Sequence, residues 1–330
     1  MATIGNIDGS KFIGCPIVVP VTAGNFTNVT FHRVRIIVTV NGSGSGSFEF
    51  STPADNNEKV YFDISSALRA VADKHEFIPG SLSYPSYRAS IVAYDDYLKD
   101  GDEKHSDPST SFDGGSFYIG RLTDRERMYG AGQATYYGLS IYTRKPKTSP
   151  EVCLVGYPHI QAGAISGAPS ARLTPDGPQK VSKGMQTIDG YQVYGVDATA
   201  DGFELRFINS LGVHDNVFVT CLRQTEVNIK SDYYAISRQE TINNFSRGVM
   251  HKQNDYEQWK MSSGPLDRAW QQYYLHEVLM AKWAWLKVDD QWLPVHIVPE
   301  ETTTGIDRAK GNLLEVQFTI RFDINGNPFK

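Results

Sequence analysis

Residues 202–222 read GFELRFINSLGVHDNVFVTCL, which is two apolar runs separated by a short polar stretch. The runs are rich in Val, Ile and Phe, residue types that favour β-strands. Between them lie Asn209, Ser210 and Gly212, residue types that are typical of turns. The pattern therefore predicts strands at residues 202–208 and 216–222, joined by a turn at residues 209–212.

Downstream of this pair, the sequence predicts further strands around a single helix. Pro265 suits the first helical position and Asp267 the first turn of a helix that runs to about Lys282. Its apolar stripe, at the helical period, comprises Leu266, Ala269, Trp270, Tyr273 and Tyr274. The expected strands lie at residues 226–229, 233–238, 256–261, 285–288, 292–298 and 313–322, with a turn at residues 289–291.

Upstream, the sequence again predicts strands and one short helix. Residues 29–40 (VTFHRVRIIVTV) predict a strand, and residues 41–47 (NGSGSGS) a hairpin turn that leads into residues 47–51 (SFEFS). Residues 63–72 predict a helix that is capped by Asp63 and carries Ile64, Leu68 and Val71 on one face. Further strands are expected at residues 59–62, 87–94, 117–122 and 136–142, and residues 95–111 are expected to form a long exposed loop.

The order of these elements predicts a mainly β (α+β) fold in three parts. We expect an N-terminal β-sandwich-like domain at residues 1–148, an irregular β connecting segment at residues 149–200 with a loop at residues 163–178, and a C-terminal domain at residues 201–330. Two prolines mark residues 144–150 (RKPKTSP) as the linker. Its basic residues Arg144, Lys145 and Lys147 are expected to be solvated.

The composition excludes several classes of protein. Of 330 residues, 40% are hydrophobic and 21% are charged, which excludes intrinsic disorder and allows a sizeable core. The net charge is −5 and no basic stripe occurs, which disfavours nucleic-acid binding. Three widely spaced cysteines predict neither a disulfide framework nor a zinc site, and favour a reducing place of folding. No signal-peptide pattern and no run of about 18 apolar residues occurs, so we expect no cleaved signal and no membrane span.

No catalytic, cofactor-binding or metal-binding residues are predicted. Adjacent carboxylates occur in three places, at Asp95 with Asp96, Asp289 with Asp290, and Glu300 with Glu301. Because neighbours on a strand point to opposite faces, they do not form the facing pair that a glycosidase needs, and we expect roles in turns and solvation. His214 with Asp215 could orient a catalytic base, but a turn between two strands is favoured.

Three other patterns also have ordinary structural explanations. Asp100, Asp102 and Asp107 resemble part of a calcium loop, but their spacing is out of register with an EF-hand. Residues 42–46 (GSGSG) match the G-x-S-x-G pattern, although their context is a hairpin. All five tryptophans lie between Trp259 and Trp292; packing of the helix on the sheet is the favoured explanation, and a ligand or partner surface is the alternative.

The last third of the sequence resembles phage and prophage tail proteins of Bacteroides-type gut bacteria. The matching residues are 206–212 (RFINSLG) with Asp215 and Phe218, 263–266 (SGPL) with Trp270, 292–295 (WLPV), and 313–321 (LLEVQFTIR). In the first half, only the step at residues 62–65 (FDIS) resembles that family. The matching residues are structural rather than catalytic positions.

The resemblance implies a non-enzymatic virion protein, a tail or baseplate ring component of the distal-tail type that joins the tail tube to the tail tip. Its C-terminal domain would be a tail-tube-like β-sandwich or barrel with one helix. The implied partners are copies of itself in a hexameric ring and other tail or baseplate proteins, with no cofactor and no membrane. DNA would pass through the lumen without specific binding, which the mild negative charge suits. The virion tail would be its location, after assembly in the host cytoplasm.

Two other functions remain open from the residues. One is a carbohydrate-binding or adhesin protein at the tail tip or cell surface, which exposed aromatic rings in one groove would favour. The other is a glycan hydrolase, which would need two facing carboxylates in a cleft.

Overall fold

A computed structural model describes residues 1–9, 12–79, 85–121, 144–146, 149–157, 160–165, 168–173, 180–188, 190–199, 201–236, 247–305 and 315–322. Most of these residues lie in β-strands, so the predicted mainly β class is confirmed. Some predictions concern residues outside these ranges. They are the strand at residues 136–142, the solvation of Lys147, and the strand ends at residues 237–238 and 313–314.

The chain folds into two compact units. The first comprises Met1–Thr143, Ala162–Arg172 and Asn209–Val213, and the second comprises Arg144–Gln161, Leu173–Ile208 and His214–Lys330. The predicted domain limits at residues 148 and 200 stay a prediction.

The first unit contains two sheets and a helix. Its elements are β1 (Thr3–Ile4), β2 (Asp8–Gly9), β3 (Ile17–Thr22), β4 (Phe31–Gly42), β5 (Gly46–Pro53), β6 (Lys59–Asp63), α1 (Ser65–Ala72), β7 (Ser86–Lys99), β8 (Asp102–His105) and β9 (Phe112–Tyr118). One sheet has the order β1-β3-β2, with β6 also paired to β3; the other has the order β5-β4-β7-β8, with β9 also paired to β7. The predicted β4–β5 hairpin is confirmed, since Val40 lies opposite Gly46.

One hydrophobic core serves both sheets and α1. Alternate residues of β4 are fully buried, namely Val34, Ile36, Val38 and Val40, as the period of two requires. The predicted helical stripe is confirmed, because Ile64, Leu68 and Val71 are buried in the same core. Asp63 does accept a hydrogen bond from the first helical N–H, that of Ser65, but it lies one residue before the N-cap, Ile64.

The predicted exposed loop at residues 95–111 is wrong over residues 95–105, which lie in β7, a turn and β8, whereas residues 106–111 lie in no strand or helix. β7 continues through Asp95 and Asp96 to Lys99, and Asp100 and Gly101, both with positive φ, form a two-residue turn into β8. The strand tolerates two adjacent carboxylates because both are buried against basic partners. Asp100 and Asp102, which resemble part of a calcium loop, therefore lie in this turn and at the start of β8.

Residues 151–196 contain five short strands. They are β10 (Glu151–Leu154), β11 (Ile160–Ile165), β12 (Ala168–Leu173), β13 (Gly184–Ile188) and β14 (Tyr191–Val196). β11 pairs with β12, whereas β10, β14 and β13 form a three-stranded sheet in that order. The predicted loop at residues 163–178 is therefore wrong over its described part, since a strand pair occupies residues 163–165 and 168–173.

Six strands of the second unit close into a barrel. They are β15 (Gly202–Ile208), β16 (His214–Ile236), β17 (Arg247–Ser262), β18 (Ala284–Val288), β19 (Gln291–Gly305) and β20 (Glu315–Phe322), in the order β15-β16-β17-β20-β19-β18. The pairing of β15 with β18 completes the circle. The predicted turn after β15 is confirmed, because the side-chain oxygen of Asn209 accepts hydrogen bonds from the N–H groups of Leu211 and Val213.

The predicted C-terminal helix is shorter than expected. It begins with Asp267 as N-cap, whose carboxylate accepts from the N–H of Trp270 at 2.9 Å, and α2 covers Arg268–Tyr273. A π-helical turn, Tyr274–Val278, follows and ends well before Lys282. Pro265 therefore lies outside the helix, and Ala269 of the predicted stripe is exposed. Trp270, Tyr273 and Tyr274 are buried in the barrel core, as predicted.

Among the described residues, no helix combines the length and the apolar character needed to span a membrane.

Candidate functional site

The longest strand pairing in the second unit joins β16 to β17. β16 pairs with β15 only through residues 214–220, and β17 pairs with β20 only through residues 258–262. From Val227 opposite Glu257 to Ile236 opposite Arg247, the two strands pair with each other and, in the described part of the chain, with no third strand. We call residues 227–236 and 247–257 the β16–β17 ribbon.

A ribbon of this kind is a candidate assembly surface. At about 3.3 Å per residue its ten-residue strand extends roughly 30 Å beyond the barrel pairing. A two-stranded ribbon is only marginally stable in water, and both of its edges carry backbone groups that can pair with another chain. Its sequence holds three basic and three acidic residues, so it lacks the positive charge that nucleic-acid binding needs: Lys230, Arg247 and Lys252, and Asp232, Asp255 and Glu257.

Beside the barrel core, the second unit buries a cluster of polar side chains that the sequence did not lead us to expect. We call it the Lys145 cluster, and it comprises Lys145, Glu151, Glu204, Asp215 and Asn216. Nζ of Lys145 lies 3.1 Å from Oε1 of Glu151, 3.1 Å from Oδ1 of Asp215 and 3.3 Å from Oδ1 of Asn216. The Lys145 side chain is only 1% exposed.

Neighbouring groups complete the cluster. Nδ2 of Asn216 and Nη2 of Arg206 both donate to Oε1 of Glu204, at 3.1 and 3.0 Å. The Tyr273 hydroxyl donates to Oδ2 of Asp215 at 2.6 Å. Burial alone would lower the pKa of Lys145, but the carboxylates of Asp215 and Glu151 more than offset it and raise that pKa. Burial raises the pKa of Tyr273, and the Asp215 carboxylate adds to the effect.

The cluster corrects two predictions. Lys145 is not solvated, and Arg144 is bonded to buried Glu277, because carboxylates from distant elements lie against this segment. His214 and Asp215 are not a turn: they are the first residues of β16, both fully buried, and the His214 ring stacks on that of Trp285. The sequence signal for the cluster was a set of polar residues within or beside apolar strands, such as Glu204 in GFELRFI.

The tryptophans pack as predicted. Trp270 and Trp285 are buried, and the Trp270 indole donates to the Ser149 carbonyl at 3.1 Å. Trp259 packs edge-on against Phe322, and the remaining two lie under cations: Trp292 under Arg206, and Trp283 under Lys282. All five are buried or half-buried, so they do not form an exposed row for a ligand.

The adjacent carboxylates have different roles. Asp289 and Asp290, both with positive φ, form the predicted turn between β18 and β19. Glu300 and Glu301 lie within β19, so the predicted turn is wrong there. Asp95 and Asp96 are buried in β7 rather than solvated, and they have separate partners, as neighbours on a strand must.

In the first unit, Asp95 and Asp96 each contact a separate set of polar groups. Oδ1 of Asp95 lies 2.9 Å from Nε2 of His32 and accepts the Gly24 N–H at 3.0 Å. Asp96 accepts from Arg33 and Arg35 and lies 2.8 Å from Nδ1 of His105. Burial alone would raise the pKa of Asp96, but hydrogen bonds from Arg35, His105 and Arg33 lower it below its ordinary value.

His32 also lines a polar cavity of about 450 Å³ in the first unit. The lining residues are Val29, Thr30, Phe31, His32, Pro53, Ala54, Asp55, Asn56 and Glu58. Phe31 is 45% exposed. The Asn56 side chain holds one wall in place, because it accepts from the N–H and donates to the carbonyl of Phe26.

In the described ranges, no group of three or more His, Cys, Asp or Glu side chains is placed to hold a metal ion. No protein-family model matches this chain, and no curated protein matches it either.

Proposed function

We propose that this protein is a non-enzymatic structural component of a phage or prophage tail. It acts as a distal-tail type ring subunit that joins the tail tube to the tail tip, in the virion. The observation that carries the proposal is the β16–β17 ribbon, which leaves two strand edges for another chain to cover. The resemblance of residues 206–321 to tail proteins supplies the biological setting.

The ribbon favours assembly with copies of the same chain. A ribbon that docks on a different surface of the next copy makes a head-to-tail contact, and such contacts close into a ring when the rotation between copies fits. The equal numbers of basic and acidic residues in the ribbon suit a contact between identical, mildly acidic subunits. The net charge of −5 also suits a lumen through which DNA passes without specific binding.

The ribbon can be removed at a natural junction. Glu226 lies opposite Gln258, so residues 227–257 can be replaced by an Asn-Gly turn that joins those two positions. We expect the full chain to form rings at micromolar concentration in native mass spectrometry and negative-stain microscopy, and the shortened chain to be a folded monomer. As a control, residues 43–45 of the β4–β5 turn are replaced by the same Asn-Gly turn, which should leave assembly unchanged.

Assembly that survives loss of the ribbon would contradict the proposal, as would a full chain that stays monomeric both alone and with tail proteins of its own phage. Turnover on bacterial surface glycans that an Asp-to-Asn change abolishes would contradict its non-enzymatic part.

The cavity of the first unit favours a second candidate function, carbohydrate binding at the tail tip or cell surface. Its volume suits a small ligand, its carboxylates at Asp55 and Glu58 can accept hydroxyl hydrogen bonds, and half-exposed Phe31 offers an aromatic ring. We expect the chain to bind some bacterial surface oligosaccharides on an array, and Phe31→Ala to weaken that binding at least about tenfold. Tyr61→Ala, at an exposed ring of β6 that does not line the cavity, is the control. Equal binding by the Phe31 variant would rule this function out.

A further inference from the structure

We propose that Lys145 and Asn216 become joined by an intramolecular amide cross-link between their side chains, with Glu151 and Glu204 as the groups that move protons. The proposal rests on the Lys145 cluster and is independent of the assembly role. Lys145 precedes the three-stranded sheet of β10, β14 and β13, and Asn216 lies on β16 of the barrel, so the bond would tie two parts of the second unit together.

The reacting groups are already in contact. Nζ of Lys145 lies 3.3 Å from Oδ1 of Asn216, which places the amine against the carboxamide whose carbon it must attack. Groups that a fold holds in contact react far faster than free ones, because the entropy of bringing them together is already lost. Asp215 holds Nζ in place, since its Oδ1 lies 3.1 Å away.

The amine must first lose a proton, and Glu151 is placed to accept it. Its Oε1 and Oε2 lie 3.1 and 3.3 Å from Nζ. The raised pKa of Lys145 means that the ammonium is the resting form. Because both side chains are buried, however, proton transfer to the carboxylate removes two buried charges at once, which offsets part of its free-energy cost. The reaction is therefore slow and needs to occur only once in each molecule.

The leaving group also has a partner. Nδ2 of Asn216 donates to Oε1 of Glu204, and Oε2 of Glu204 has no hydrogen-bond partner in the described part of the chain. Nζ loses one proton to Glu151 before the attack and a second after the Nζ–Cγ bond has formed. As the Cγ–Nδ2 bond breaks, Glu151 and Glu204 pass these two protons to the departing nitrogen, which leaves as an ammonium ion. A lysine ammonium and a carboxamide thus become a secondary amide and an ammonium ion. No oxidant, metal or cofactor is needed.

Asn216 is a better acceptor for the amine than Asp215. The Asp215 carboxylate is already engaged, because it accepts hydrogen bonds from the Tyr273 hydroxyl and from the backbone N–H of Asn216. An ionised carboxylate resists attack by an amine, whereas the neutral carboxamide of Asn216 does not carry that charge. The link would close a loop of 71 residues, which restricts the unfolded chain in the way that a disulfide does.

Mass spectrometry of the purified full chain tests the proposal. We expect the denatured protein to be about 17 Da lighter than its sequence, the mass of one ammonia, and a protease digest to contain one branched peptide that joins residues 145 and 216. Lys145→Arg, Asn216→Ala and Glu151→Gln should each restore the full mass. Lys287→Arg, at a half-buried lysine outside the cluster, should keep the loss.

Each other result would overturn the assignment. A wild-type chain of full mass excludes the cross-link. A loss of about 18 Da with a peptide that joins residues 145 and 215 would assign the bond to Asp215 instead. A loss of about 17 Da that persists in Lys145→Arg would come from cyclisation of an asparagine, not from this link. Far-ultraviolet circular dichroism of each variant shows whether it is folded, and Lys145→Arg keeps the buried charge so that folding is least disturbed.

Discussion

At the residue scale, buried charges in this protein are held by partners that are far away in sequence. Asp96 meets Arg33 and Arg35, more than 60 residues earlier, and Arg144 meets Glu277, 133 residues later. A buried ion pair stabilises a fold little in itself, but removal of one partner leaves an uncompensated charge, which is costly. Replacement of one of these side chains is therefore expected to lower the free energy of unfolding substantially.

Asp96→Asn should lower the free energy of unfolding by about 2 kcal/mol at pH 7, because three donors lose their charged acceptor. The pKa of Asp96 is lowered in the folded state, so its contribution is present above its ordinary value of 3.8 and is lost as pH falls below it. Urea unfolding from pH 7 to pH 2 checks both points, and the variant should lose less stability at acid pH than the wild type. Glu103→Gln, an exposed partner of Arg33, is the control and should change little. An equal acid dependence in the Asp96 variant and the wild type would contradict this account.

At the element scale, the helix of the second unit begins at a side-chain N-cap and ends in a π-helical turn. Asp267 caps α2, and the π-helical turn follows directly, where the Leu279 N–H bonds to the Tyr274 carbonyl. In this turn, Glu277 is buried beside Arg144, and the hydroxyl of Tyr274, its first residue, donates to the Phe218 carbonyl of β16. Packing of these side chains accompanies a departure from α-helical geometry that the apolar stripe did not predict.

Asp267→Ala should lower the free energy of unfolding by about 1 kcal/mol, the usual cost of a lost N-cap. Thermal unfolding of the variant measures this, and Asp267→Ser should recover most of the loss because serine also caps helices. Arg268→Ala, at the exposed next position, is the matched control. If the serine variant were as unstable as the alanine variant, the cap would not be the cause.

At the scale of the whole molecule, both units bury groups that hold their protons more tightly when folded. Burial raises the pKa of Tyr87 in the first unit to about 12, and it also raises the pKa of Tyr273 and Tyr274 in the second unit. Lys145 likewise has a raised pKa, owing to its carboxylate partners. Such groups stabilise the fold fully below their unfolded pKa, near 10, and that stability is lost as pH rises through their folded pKa.

We therefore expect the unfolding midpoint in urea to fall steeply above pH 10, each group adding up to about 1.4 kcal/mol per pH unit. Tyr87→Phe should reduce the slope, at little cost at pH 7, because the Tyr87 hydroxyl is buried without a hydrogen-bond partner in the described ranges. Tyr61→Phe, at an exposed ring, should leave the slope unchanged. An identical slope in the Tyr87 variant would show that other groups cause the alkaline loss.

The local elements of the fold follow from short-range patterns in the sequence. Several features follow from residues that are neighbours in the chain. They are the alternating burial in β4, the turn at Asn209, the turn formed by two aspartates between β18 and β19, and the full extent of β15. Period-two burial and turn geometry are properties of a few adjacent residues, so they can be predicted without knowledge of the partners.

Which side chains meet and which strands pair depends instead on contacts between distant parts of the chain. Lys145 lies in a segment rich in proline and basic residues that predicts a solvated linker, yet Glu151, Asp215 and Asn216 enclose it. Likewise, Asp95 and Asp96 suggest a loop until His32, Arg33 and Arg35 are placed beside them. The barrel closure between β15 and β18, and the reach of the β16–β17 ribbon past the barrel strands, are also decided by distant segments. Partners separated by tens of residues in sequence leave no periodic signal, because their contact depends on how the whole chain folds.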